Sequence, residues 1–195
     1  MKIQHDTFDV LDVYGRHLKE LAADDRYTRF GYAINDYSID QLILSVLYNK
    51  SHNHLFTARK NGIIVGFGHI ASDGSDWELA VSVEQEHQNQ GVAGELIAFM
   101  IGWGKVHGIH SVYMHCINDN KKIQHLAYKH GLRVVDRASS DVTALVELPP
   151  ATPADYTKDF MREQQELMLD MARLQKRLLE NLNPLTYAKH HDISN

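Results

Sequence analysis

The sequence predicts a mixed α/β fold, a central sheet flanked by helices, with one long helix appended at the C-terminal end. Three observations carry this. Segments with helical and strand patterning follow in the order two helices, three strands, helix, strand, helix, two strands. That order makes a mixed α/β layer and not a regular βαβ repeat. An Asn61-Gly62 pair lies between two β-rich runs, the strongest short-range hairpin signal. Pro149-Pro150 then separates this region from a stretch with heptad-like apolar spacing. The chain therefore divides into a domain over residues 1–150 and a helical extension over residues 151–195.

Each element has a local reason. Val10, Leu11, Tyr14, Leu18 and Leu21 approximate one helical face across residues 9–23. Asp24-Asp25-Arg26 is expected to form a polar turn. A second helix opens at Ser38-Ile39-Asp40, with Ser38 as N-cap, and continues through Leu42, Ile43, Val46 and Leu47. Residues 55–58 and 63–67 are the hairpin strands, residues 72–75 turn through Asp73-Gly74, and residues 77–83 complete an antiparallel meander. Leu96, Ile97, Met100, Ile101 and Trp103 predict a helix over 92–106 that ends at His107-Gly108. Gly102 and Gly104 weaken it, each by roughly 1 kcal/mol relative to alanine. Residues 111–116 read as a strand, residues 118–130 as a helix stopped by Gly131, and residues 132–136 and 142–148 as the last strands. Thr152-Pro153-Ala154-Asp155 supplies an N-cap, a proline at the first helical position and an acid at the third. The helix it opens is expected to run to about Asn183, before Pro184.

Composition narrows the function. The 195 residues carry a net charge of −5 and a pI near 6.2, so no general basic field exists to attract nucleic acid. Cys116 is the sole cysteine, which excludes an intramolecular disulfide. The first residues lack the apolar core of a signal peptide, and no run of about 18 apolar residues suggests a membrane span. A reducing cytoplasm is the expected location. The thirteen histidines scatter without His-Glu-x-x-His spacing, and His190-His191 is a tail pair, so no metal site is expected.

The most informative stretch is Val81-Ser-Val-Glu-Gln-Glu-His-Gln88-Asn-Gln-Gly91-Val-Ala93-Gly94-Glu-Leu96. A strand ends, a polar turn follows, and a glycine opens a helix. Unpaired N–H groups and the helix dipole make such a start an anion site suited to a pyrophosphate. Gly91 lets the backbone approach a phosphate without a Cβ in the way, and Ala93 and Gly94 keep the next positions small.

This stretch resembles the signature Gln/Arg-x-x-Gly-x-Gly/Ala of the GNAT superfamily of N-acetyltransferases, at Gln88, Gly91 and Ala93. The run Asn120-Lys-Lys-Ile123-Gln-His-Leu126-Ala127-Tyr128-Lys129-His130-Gly131-Leu132 is similar to the superfamily's later helix, matching at Asn120, Leu126, Lys129 and Gly131. Ile123 and Leu132 depart mildly from it. Arg26-Tyr-Thr-Arg29-Phe30 looks like a segment of some bacterial members. The resemblance covers about residues 5–148 and implies a GNAT acyl-CoA N-acyltransferase fold with acetyl-CoA as co-substrate. It further implies that pantetheine lies in a gap beside Val81, Ser82 and Val83, bonding the backbone of Val81 and Val83, with the Val81 N–H polarising the thioester carbonyl. Gln88, Asn89, Gln90, Gly91, Val92, Ala93 and Gly94 would hold the pyrophosphate. Asn120 would contact the pantetheine arm, and Lys129 joins this cofactor-binding set.

Transfer to an amine needs a proton acceptor. Glu78 is the candidate catalytic base, on one face of its strand with Ala80 and Ser82; a solvated or substrate-binding carboxylate is the alternative. His115 is a second candidate. Where many superfamily members place a tyrosine acid, this chain has Ala127, and Tyr128 is turned by about 100°. Cys116 reads as a small buried hydrophobe. Asp24, Asp25, Asp36 and Asp40 are candidate partners for a cationic acceptor, or solvated loop and cap residues. The expected function is acetyl transfer to a primary amine of a small molecule or protein; the alternative is a non-catalytic acyl-CoA-binding or interaction module. Phe160, Leu167, Met171, Leu174 and Leu178 would form a dimerising seam, or pack the last helix on its own domain.

Overall fold

A computed structural model describes the chain except for residues 7, 75, 118–119, 138–140 and 183–195. It forms two units, Met1–Pro150 and Ala151–Asn195.

The first unit is built on seven strands: β1 (Lys2–Asp6), β2 (Asn53–Lys60), β3 (Ile63–Ser72), β4 (Trp77–Val83), β5 (Ser111–Ile117), β6 (Arg133–Arg137) and β7 (Asp141–Glu147). Their spatial order is β1-β2-β3-β4-β5-β7-β6. Neighbours pair antiparallel except β4 and β5, which run parallel. The helices are α1 (Leu11–Glu20), α2 (Ala23–Phe30), α3 (Asp36–Tyr48), α4 (Val92–Val106) and α5 (Lys121–Lys129).

The meander forms as its turn chemistry requires. Asn61 (φ 53°) and Gly62 (φ 84°) are both left-handed, as a two-residue turn matching strand twist demands. Gly74 has φ 106° and donates its N–H to Ser72 Oγ at 3.0 Å; Ser75 of that turn lies outside the described residues. Alternation along the strands feeds two cores. Leu55 and Phe67 join Tyr14, Leu18, Ile39 and Val46 of α1 and α3. Phe56, Ile70 and Leu79 join Leu96, Ile97, Met100 and Trp103 of α4. Burying Leu96, Ile97 and Met100 contributes about 1.5–3 kcal/mol each, which outweighs the roughly 2 kcal/mol that Gly102 and Gly104 cost α4. Gly68 lets α4 approach this closely, because a Cβ there would stand 2.5 Å from Met100 Sδ.

The structure departs from the sequence reading at five points. Strand β1 was not foreseen: Ile3 is its only apolar residue, and pairing with β2 from Lys2↔Arg59 to Asp6↔Leu55 makes it a strand. The Asp24-Asp25-Arg26 turn is instead the start of α2, whose acidic first turn suits the helix dipole and whose end is capped by Gly31 at φ 76°. The first helix is shorter than residues 9–23, with a 3₁₀ turn over Phe8–Val10 ahead of α1. In α3 the N-cap is Asn35, whose Oδ1 accepts the Ser38 N–H at 2.9 Å. Helix α5 begins at Lys121, while residues 118–119 of its expected start lie outside the described set.

In the second unit, α6 spans Pro153–Leu182. Asp155 accepts the Thr152 N–H at 2.8 Å, and Thr152 Oγ1 accepts the Asp155 N–H at 3.3 Å, a reciprocal cap. Phe160, Leu167, Met171, Leu174 and Leu178 are all exposed.

Candidate active site

Parallel strands β4 and β5 share a single register pair, Glu78↔Tyr113. From there a cleft of about 630 Å³ opens, walled by residues 78–83 of β4, by Met114, His115 and Ile117 of β5, and by Asn120 and Ile123 at the start of α5. Gln88, Asn89 and Gly91 through Gly94 close one end. The cleft thus brings together Glu78, Val81, Ser82, Val83, Gln88, Asn89, Gly91, Val92, Ala93, Gly94 and Asn120.

The turn is shaped by backbone demands. After a 3₁₀ turn at Gln85–His87, Asn89 (φ 57°) and Gly91 (φ 85°) adopt left-handed conformations and α4 starts at Val92. No side chain caps α4, so its first N–H groups remain available to an anion. A Cβ on Gly91 would meet nothing within 4 Å, so conformation and not packing requires the glycine. Gly94 differs: a Cβ there would stand 3.2 Å from Leu126 Cδ1, so its smallness seats α5 against α4. Gln88 Nε2 donates to Asp25 Oδ2 at 2.9 Å and Val83 O at 3.3 Å, tying the turn to α2. Asn120 Oδ1 accepts the Ile123 N–H at 3.1 Å as the N-cap of α5.

Two members of the expected set are elsewhere. Gln90 donates to Glu86 O at 2.9 Å and accepts from Lys60 Nζ at 3.1 Å, away from the cleft wall. Lys129 is exposed at the end of α5. Lys122, seven residues earlier, is the cleft's lysine, and its Nζ donates to Asn89 Oδ1 at 3.4 Å.

A second cleft of about 490 Å³ adjoins the first along Thr28, Arg29, Glu78, Ala80, His115 and Ile117, and extends to Tyr32, Leu42, His69, Cys116 and Thr143. Glu78 therefore stands where the two meet. The acids expected to greet a cation are not on this second wall: Asp36 pairs with Arg26 at 2.9 Å, Asp40 with Lys19 at 2.6 Å, Asp25 with Gln88, and Asp24 is exposed. His115 is exposed, and its Nδ1 lies 3.2 Å from Thr143 Oγ1. Burial pushes the Cys116 thiol up to about 11, so it stays protonated and is no nucleophile. Burial and the nearby Glu78 also raise the Tyr113 phenol. Ala127 is buried and Tyr128 is 75% exposed, so neither offers an acid to the cleft. Among the described residues, no three His, Cys, Asp or Glu side chains group so as to hold a metal ion, and no helix is long and apolar enough to cross a membrane.

Two hydrogen-bond chains here were missed from sequence. In the first, buried His17 lies between Glu84 Oε1, 2.5 Å from its Nδ1, and Ser82 Oγ, 2.8 Å from its Nε2. The carboxylate accepts the Nδ1–H. The spacing Val10, Tyr14, His17, Leu21 already places this histidine on the apolar face of α1. In the second, Arg29 donates to Tyr14 Oη at 3.3 Å, Tyr14 to His69 Nδ1 at 3.5 Å, His69 Nε2 to Asn53 Oδ1 at 2.9 Å, and Asn53 Nδ2 to Asn49 O at 2.9 Å. The direction is self-consistent because His69 is neutral: burial, with Arg29 and His54 adding to it, lowers its pKa to about 3.

The model of the Acetyltransferase (GNAT) family matches residues 16–132. Among curated protein sequences, none matches significantly. Solved structures with a similar fold include the GNAT domain of S. lividans PAT (TM-score 0.62, 16% identity, covering 75% of this chain and 89% of that one). Another is spermidine N-acetyltransferase from Vibrio cholerae in complex with CoA and spermine (0.62, 13%, 75% and 95%). A third is YncA from Salmonella typhimurium with its cofactor acetyl-CoA (0.58, 15%, 78% and 96%). The family match spans more than half of the sequence and contains both the glycine-opened turn and the parted parallel strands, so this chain belongs to the GNAT acetyltransferase family.

Proposed function

We propose that this chain transfers the acetyl group of acetyl-CoA to a primary amine. The observation that carries the reading is the cleft between β4 and β5, which ends at the uncapped, glycine-opened start of α4. Residues of the chain fit the co-substrate: the open space beside Gly91 suits close approach of a pyrophosphate, and Lys122 adds a cation. Val81, Ser82 and Val83 would line the pantetheine arm, with Asn120 at its side. Bound there, acetyl-CoA supplies an activated acetyl group and a thiol leaving group.

The chain's own part is to hold the amine and take its proton. An alkylamine with a pKa near 10.4 is almost wholly protonated at neutral pH. Glu78, at the junction of the two clefts, accepts that proton directly or through a water. His115 is the second acceptor on the same wall. No side-chain acid is required for the departing thiol, whose pKa near 8.5 makes it a tolerable leaving group. The amine bound by the spermidine N-acetyltransferase neighbour agrees with this acceptor class. The exposed seam of α6 would join two copies of the chain.

One observation favours a second reading, a non-catalytic acyl-CoA-binding module: buried Ala127 stands where many members of the superfamily have a tyrosine. Calorimetric titration of acetyl-CoA, followed by thiol release with an amine panel, separates the two. Turnover that Glu78→Gln abolishes while CoA binding persists supports the enzyme. Binding without turnover by the wild type supports the module.

A further inference from the structure

We propose that the acceptor carries a carboxylate as well as an amine, so that the second cleft receives an amino acid and not a simple amine or polyamine. This rests on the acetyltransferase reading above. Histidines aside, two charged side chains line the described wall of that cleft, Arg29 and Glu78. No carboxylate lies within ion-pair distance of Arg29 among the described residues. Its one hydrogen bond there, to Tyr14 Oη, is long at 3.3 Å and occupies one of five N–H donors. A partly buried guanidinium with donors to spare and no carboxylate beside it is a ready partner for an anion that a bound ligand supplies.

The side chain is also held in readiness. The guanidinium carbon stands 5.0 Å from the Phe30 ring centroid. The one-way chain through Tyr14 and neutral His69 to Asn53 holds its Nη2 and offers it no negative charge. The rival anion is a phosphate of CoA. Gln88, Asn89 and Gly91 through Gly94 line only the first cleft, whereas Arg29 belongs to both and shares the second with Glu78, Ala80 and His115. A polyamine would meet one carboxylate and a cation lining the same cleft, an arrangement that disfavours it. An amino acid satisfies both charges, with its amine toward Glu78 and its carboxylate toward Arg29 as a bidentate pair.

The test uses matched pairs differing only in the carboxylate: lysine and cadaverine, phenylalanine and phenethylamine, β-alanine and ethylamine, with spermidine added. Thiol release gives kcat/KM for each, and calorimetry in the presence of CoA gives affinity independently of turnover. At least one amino acid should exceed its decarboxylated partner by about tenfold or more. Arg29→Gln should erase that ratio by raising KM for the amino acid while CoA affinity holds, and Arg29→Lys should restore part of it. Equal or better use of the decarboxylated partners or spermidine by the wild type overturns the proposal, even where Arg29→Gln does not fold. So does an Arg29→Gln variant that loses CoA affinity with the pair ratio unchanged, which would make Arg29 a phosphate ligand. Absence of turnover with every amine refutes the acetyltransferase reading instead. The calorimetric ratio then still decides whether the cleft selects a carboxylate, and no binding of any amino acid sinks the inference.

Discussion

Replacing His17 by phenylalanine removes one buried and one part-buried hydrogen bond while keeping an aromatic ring against Phe67, whose centroid lies 5.0 Å away. The two partners lose unequally. The Glu84 side chain is 42% exposed and can recover its bond from water, whereas Ser82 is buried and its hydroxyl is left unsatisfied. An orphaned buried polar group costs about 1–3 kcal/mol, so a loss near 2 kcal/mol is expected. For a unit of this size that lowers Tm by roughly 4–8 °C. Ser82→Ala alone strands His17 Nε2 and should cost about 1 kcal/mol. The double variant removes both ends of the bond and should be less destabilised than the sum, by about 1 kcal/mol. Urea denaturation of the four proteins measures the cycle. Additivity to within about 0.5 kcal/mol would refute the reasoning, since independent sites add that closely.

Three further outcomes are expected. Gly91→Ala should cost about 1–2 kcal/mol of stability, because the residue sits at φ 85° with open space around it; Gly91→Glu should in addition abolish CoA binding by calorimetry, and unchanged affinity would remove the turn from the site. His69 has a pKa near 3 in the fold against 6.5 for a free imidazole, so the unfolded chain takes up a proton first as pH falls. Its contribution to stability is full above about pH 6.5 and declines toward pH 3, with a slope approaching about 1.4 kcal/mol per pH unit. Denaturation series between pH 8 and 5 should show that decline, and His69→Gln should lessen it, leaving the share of His54, whose pKa burial lowers to about 4. If α6 joins two copies, sedimentation of the full chain gives a dimer, and Leu167→Lys with Leu174→Lys gives a monomer; a monomeric wild type would dismiss the seam.

What the sequence determined by itself is local. Asn61-Gly62, Gly91, Gly131 at φ 89° and the Thr152–Asp155 cap each express the steric or hydrogen-bonding demand of one or two residues on their own backbone. Such demands do not depend on the rest of the fold, so the hairpin, the turn before α4 and the end of α5 were all legible. The strand that carries Glu78 was legible as well, from the alternating run Trp77–Val83 that the structure retains.

Tertiary structure decided whatever depends on partners distant in sequence. Lys2-Ile-Gln-His-Asp6 has almost no apolar pattern and is a strand because β2 pairs with it. Helix α2 buries no residue fully, and Arg26 ties it to Ile34 O and Asp36. Strand β7 enters between β5 and β6, a placement that no local signal encodes. Lys122 lines the cleft and Lys129 does not, because the two stand about 10 Å apart along α5 on nearly the same face. His17 reaches a glutamate 67 positions away, and the Arg29 chain joins α2, α1, β3 and β2. A hydrogen bond between distant residues has no signature in either segment, because only the packed sheet and helices set their separation.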